Sequence, residues 1–154
     1  LLLAAVGAPP FGAAKPVPFN PHRVRYGEYG AALVGLAGPL TNFVLAFIGF
    51  ALWTLIGTGQ GNAVGNILSI FITVNLGFFV FNILPIPPLD GSRALYAVAP
   101  RIVQQGMEMM EQYGIFVVFA IVLIFNAQLS QFMKVAITFF LYLFSLPFGG
   151  VSVL

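Results

Sequence analysis

The stretch FNILPIPPLDGSRAL, residues 81 to 95, decides how the chain is read. It ends a long apolar run with Pro85, Pro87 and Pro88 and then places an acid, Asp90. Residues 29 to 89 carry no charge, so Asp90 is the first acid after Glu28. Proline has no N–H to give to a helix and clashes with the preceding turn. The backbone from Ile83 to Leu89 must therefore leave helical geometry. Irregular backbone at membrane depth is tolerated only where it is buried in protein or lines a cavity. A carboxylate near the bilayer centre costs about 2.5 to 3.5 kcal/mol and persists where a metal, a counter-charge or water offsets that cost. Gly91 allows a sharp turn beside the acid. Two readings stay open on these residues alone. Either the loop aims Asp90 into a wet site, or a span simply ends at the prolines with Asp90 in interfacial water.

Composition supplies the setting. The 154 residues are 60% hydrophobic and 6% charged, with mean hydropathy +1.01. Soluble domains average about 25% charged residues, so the sequence describes an all-α, polytopic transmembrane bundle. Spans need about 20 apolar residues each, which leaves room for about four, one of them the Pro-broken helix. A net charge of +2 is too small and dispersed for nucleic-acid binding; its use is topological, because Lys and Arg mark cytoplasmic loops. The absence of cysteine excludes disulfides and thiolate-ligated metals.

Outward from the motif, two apolar segments are expected to span, Ala31 to Gly57 and Leu68 to Leu84. The glycine-rich turn between them, GTGQGNAVGN (57–66), is not a phosphate loop, since no Lys follows and no strand precedes it. Gly35, Gly38, Pro39 and Asn42 cluster within GLAGPLTN, where small residues suit ordinary helix packing; a functional hydrogen bond from Asn42 is the alternative. Residues 13–29 hold three prolines with Lys15, Arg23 and Arg25, and residues 90–111 hold Arg93 and Arg101. Both loops are expected on the cytoplasmic side of a cell membrane. Ser92 is expected to cap the helix that follows the motif. Tyr113 to Phe148 reads as two short helices joined by a polar turn at 126–131, or as one re-entrant pair, with Lys134 able to snorkel to the interface. The chain opens on Leu1, and LLLAAVGAPPFG reads as the tail of a helix that began earlier. The expectation is one membrane-embedded domain over 1–154 that lacks its upstream part.

The spacing Asn82-x-x-Pro85-x-Pro87-x-Leu89-Asp90-Gly91 resembles the second signature of the site-2 protease family, membrane-embedded zinc metallopeptidases of peptidase family M50. AKPVPFNP (14–21) resembles that family's loop after its first catalytic helix, and LAGPLTN (36–42) its next core helix. LDGSRALYAVAPR with YGIFVVF resembles the compact prokaryotic branch without a PDZ insertion. The resemblance covers nearly the whole chain. It implies one zinc ion, bound by two His of an H-E-x-x-H helix and the aspartate of the LDG motif. The fourth position is left to water, which the metal activates. Asp90 is the implied metal ligand, with Asn82 facing substrate or loop and Pro85, Pro87 and Gly91 supporting the acid.

The sequence departs from that pattern in one respect: H-E-x-x-H does not occur, and the one histidine, His22, sits on the polar loop, where a solvated residue is the default reading. No catalytic residue of that helix is therefore present, and the 154 residues alone are expected to be inactive. Three functions follow. The first is an intramembrane zinc metallopeptidase acting on membrane-spanning peptides, with the lipid bilayer and such a substrate as partners. The second is a non-catalytic scaffold or binding relative without the metal helix. The third is a small transporter, disfavoured by the lack of an internal repeat and by a single acid.

Overall fold

The computed structural model describes residues 27–56 and 62–149. His22 and the loop residues up to 26 lie outside them. Five α-helices account for the described fold: α1 (Gly27–Leu55), α2 (Ala63–Asn82), α3 (Gly91–Val98), α4 (Arg101–Ile124) and α5 (Asn126–Ser145), the last extended by a 3-10 turn, Leu146–Phe148. Helix α1, helix α2 and the segment Asn126–Phe148 are each long and apolar enough to cross a membrane, and the bent α4 makes a fourth if it counts as one span. The all-α membrane bundle expected from composition is therefore the fold observed.

Helices α1 and α2 run antiparallel. Gly49 of α1 faces Phe71 and Ile72 of α2, Phe43 meets Phe79 with ring centroids 5.0 Å apart, and Gly38 lies beside the residues that follow α2. Helix α5 closes the bundle with aromatic rings. Phe140 packs on Phe43 and Phe79 at 5.7 and 5.1 Å. Phe144 reaches Phe43 and Phe47, both at 5.2 Å, and Phe148 reaches Phe50 at 5.8 Å. Such pairs contribute about 0.5–1.5 kcal/mol each beyond area burial. In lipid that packing matters, because tails are as apolar as the helices and supply no hydrophobic drive between them. Ala46, Phe50, Trp53, Ile72, Leu76, Leu141 and Phe144 form the buried core. Leu33, Ile67, Ile70 and Tyr142 stay open to the surroundings, which suits a bilayer.

Boundaries differ from the sequence reading for identifiable reasons. Helix α2 starts at Ala63, five residues before Leu68, because the Asn62 side chain caps it by accepting from the Val64 N–H at 3.2 Å. It stops at Asn82, not Leu84. Leu84 precedes Pro85, and a residue before proline is pushed out of the α region. Helix α1 passes Pro39, fully buried, without interruption. The polar stretch 126–131 is not a turn. The chain breaks at Phe125 (φ −107°, ψ 24°), and those residues form the first turns of α5. With its 3-10 turn α5 covers 23 residues, so it is not short for a crossing. The bend falls instead within α4, where Gly114 adopts φ 35° and separates Arg101–Gly114 from Phe116–Ile124 by 93°. Ser92 is not the cap of α3. Asp90 holds that position without a side-chain capping bond, and the buried Ser92 hydroxyl donates to the Leu89 carbonyl at 2.7 Å.

Candidate functional site

Between α2 and α3 the chain makes a compact loop from Ile83 to Asp90. Its geometry begins with the prolines. Helix α2 has lost its register by Leu84, and the Leu89 N–H then closes a turn on the Ile86 carbonyl at 2.9 Å. The Pro87–Pro88 peptide bond is cis. Pro87 and Leu89 are buried, Pro85 is exposed, and Asp90 is half-buried.

Gly91 holds the loop together, by closeness rather than by an unusual dihedral. A Cβ there would run into the carbonyl group of Ile83 and come within 2.8 Å of the Leu84 oxygen. The first residue of α3 thus folds back on the last turn of α2, and only hydrogen fits between them. This replaces the sharp-turn role that the sequence suggested.

Helix α1 supplies the floor. Gly35 and Gly38, one turn apart, present no side chains where the loop lands. A Cβ at Gly38 would lie 3.5 Å from Asp90 Oδ2; one at Gly35 would lie 3.2 Å from the Asp90 carbonyl oxygen and 2.7 Å from Arg93 Cδ. Both contacts fit the small-residue helix packing expected there: at Gly35 helix α3 and the Asp90 carbonyl come too close for a side chain, whereas at Gly38 the contact with Asp90 is an ordinary one. The signal was visible as two glycines one helical turn apart, but the sequence did not say what they would face. Burial pushes the Asp90 carboxyl above its ordinary range, opposed by the nearby Arg93 guanidinium.

Beyond the loop a polar lattice ties α1, α3 and α4. Tyr96 Oη donates to Glu108 Oε1 at 2.6 Å, Gln104 Nε2 donates to the Tyr96 carbonyl at 2.9 Å and to Glu28 Oε2 at 3.5 Å, and Arg93 pairs with Glu111 at 3.7 Å. The bond to Glu108 pushes the Tyr96 phenol up to about 12, with burial adding to it. Glu28, Tyr96, Gln104 and Glu108 border an open cleft of about 520 Å³. Sequence reasoning missed the lattice, since its partners come from three separate helices.

Of the residues singled out by sequence, the structure brings Asp90 and Gly91 against the glycine floor. Asn82 ends α2, half-buried. Asn42 is half-buried on α1. The buried asparagine is another one, Asn75, whose Nδ2 donates within α2 to the Phe71 carbonyl at 2.8 Å. Among the described residues no three His, Cys, Asp or Glu side chains converge to hold a metal. The donors present therefore do not by themselves fit a zinc ion, which takes three protein ligands in a catalytic site.

An apolar bundle with an acid on a proline-broken loop places the chain among membrane proteins that hold a polar group against packed helices. Comparison with known proteins gives the family. Residues 58–125, which contain the loop, match the profile of Peptidase family M50. Over 121 residues the chain is 37% identical to "Putative zinc metalloprotease YwhC" of Bacillus subtilis, covering 74% of this chain and 55% of that protein. Over 63 residues it is 43% identical to "Putative zinc metalloprotease MJ0611" of Methanocaldococcus jannaschii, covering 40% of this chain and 31% of that one. The matches thus span about half the length of the first relative and a third of the second. No solved structure matches. The match over residues 58–125 and the two relatives together support a place for the chain in peptidase family M50, among the site-2 proteases.

Proposed function

We propose that this chain is part of an intramembrane zinc metallopeptidase that hydrolyses peptide bonds of membrane-spanning substrates, and that Asp90 is one of its metal ligands. The observation that carries the reading is the fixed placement of Asp90: prolines end α2, Gly91 pins the loop to the α2 terminus, and Gly35 and Gly38 seat it on α1. The family and the names of the two relatives support the protease class. Pro85 and Pro87 act by setting the loop, and Asn82 faces substrate or loop. In this reading the two His ligands and the water-activating Glu lie outside these 154 residues, so these residues alone are inactive. The protein is multi-pass in the cell membrane, with 13–29 and 90–111 on the cytoplasmic side.

The test is metal analysis of the protein expressed from its complete reading frame and purified in detergent. About one zinc per chain is expected, lost in Asp90→Ala, together with cleavage of a reconstituted transmembrane peptide. A complete reading frame without H-E-x-x-H, yielding a zinc-free protein, refutes the enzyme and leaves the non-catalytic scaffold.

A further inference from the structure

A second polar feature lies on α5, away from the proline loop. Asn126, Ser130 and Lys134 recur every fourth residue on that helix and line a notch of about 410 Å³. The notch is completed by apolar residues, with Met133 and Ile137 from α5 and Val122 from the end of α4. Lys134 makes no ion pair among the described residues. It nonetheless belongs to a segment, Asn126–Phe148, apolar enough to cross a membrane.

The register of the helices fixes the level of that lysine. From Phe140 to Phe144 to Phe148, α5 meets first Phe43, then Phe43, Phe47 and Phe50, then Phe50. The two helices therefore advance in the same direction. Lys134 precedes Phe140 by about 9 Å and Gly38 precedes Phe43 by about 7.5 Å, at about 1.5 Å per residue. Lys134 thus lies level with Gly38 and Asp90. Counting back from Leu55, an apolar thickness of about 30 Å ends near Gly35. The headgroup region begins there, and Lys134, about three residues deeper, reaches it along its four-carbon stem.

We propose that this notch binds one anionic phospholipid, its phosphate on Lys134 with Ser130 and Asn126 as hydrogen-bond donors, and an acyl chain against Met133 and Ile137. Charge complementarity selects the occupant. A cation without an ion-pair partner among the described residues, able to reach the headgroup region beside an apolar wall, matches an amphiphile with an anionic head. An ammonium with two neutral donors also favours a net negative lipid over a zwitterionic one, whose own cation would sit beside Lys134.

The full-length protein in detergent is titrated with phosphatidylglycerol and, separately, with phosphatidylcholine, and bound lipid is counted by native mass spectrometry. Wild type is expected to retain phosphatidylglycerol preferentially. Lys134→Met, which keeps the apolar stem, should weaken that retention about tenfold, or about 1.4 kcal/mol, while Lys134→Arg keeps it and Arg101→Ala leaves it unchanged. The Trp53 fluorescence melt confirms that each variant is folded. Equal retention of the two lipids, an unchanged Lys134→Met, loss in Lys134→Arg as well, or equal loss in Arg101→Ala each overturns the assignment.

Discussion

Replacing Gly91 by alanine is the sharpest perturbation that the loop geometry permits. The added methyl would meet the Ile83 carbonyl group and the Leu84 oxygen, the latter at 2.8 Å. Both are main-chain atoms at the end of α2 and cannot rotate aside. Overpacking of this kind costs about 1–3 kcal/mol, and a clash with backbone belongs at the upper end. At about 2–4 °C per kcal/mol for a chain of this size, the midpoint should fall by roughly 6–12 °C. The neighbouring glycines provide graded controls. At Gly35 the methyl would lie 2.7 Å from Arg93 Cδ, a side chain that can give, and 3.2 Å from the Asp90 carbonyl oxygen. Alanine also gains about 1 kcal/mol of helix propensity there, so the net loss should be under half that of Gly91→Ala. At Gly38 the nearest atom, Asp90 Oδ2, is at an ordinary 3.5 Å, and alanine should be neutral or mildly stabilising. The single tryptophan, Trp53, is buried in the α1–α2 core and reports each melt in detergent. A Gly91→Ala protein as stable as wild type, or a Gly38→Ala protein as damaged as Gly91→Ala, would refute the close-approach argument.

Phe144→Ala removes the ring that touches Phe43, Phe47 and Phe50 and should cost about 3–5 kcal/mol, whereas Phe139→Ala, at a 57% exposed position, should cost far less in the same melt. Tyr96 should titrate near 12 when phenolate absorbance is followed, and Glu108→Gln should lower that value toward the ordinary range. Because the folded pKa is raised, the stability it confers is fully present below the unfolded value of about 10 and is lost as pH rises through about 12. Asn62→Ala should cost about 1 kcal/mol by uncapping α2, read as helicity lost on mild heating. Gly114→Ala opposes the positive φ at the 93° bend and should widen it, measured as a longer spin-label distance between residues 105 and 122.

How much was legible follows from which interactions are local. The three proline positions announced the end of α2, because their effect needs no partner. The apolar runs announced the spans for the same reason. What the sequence missed was set across helices. The NAQLSQ stretch looks like a turn by polarity, yet one residue, Phe125, makes the break and the polar side chains simply decorate the first turns of α5. Ser92 has a capping side chain, but α3 begins a residue earlier and its hydroxyl turns back to Leu89. Gly35 and Gly38 were readable as small residues and not as a floor, since their meaning depends on a loop about fifty positions away. The Tyr96–Glu108–Gln104–Glu28 lattice depends on how α1 and α3 meet the first half of α4, which local sequence does not show.

The level of the charged groups explains how an acid is accommodated in an apolar bundle. The described charges, Glu28, Asp90, Arg93, Arg101, Glu108, Glu111 and Lys134, belong to the end of the bundle where α1 begins and α2 finishes. The opposite end, with Leu55, Asn62 and Phe148, has none among the described residues. Helix α1 has 29 residues, about 43 Å at about 1.5 Å per residue, more than an apolar core of about 30 Å. Sliding that core toward Gly27 would submerge Glu28 and the lattice it shares with Gln104. Sliding it toward Leu55 leaves Glu28 outside and takes in only Asp90 and Lys134, each by less than one helical turn. The second placement wins, and it sets Gly38 and Asp90 within about one helical turn of the polar boundary. A carboxylate there avoids the cost of the bilayer centre while the glycine floor and the proline loop hold it still. A polar group held at this level keeps water within reach although the helices around it are apolar.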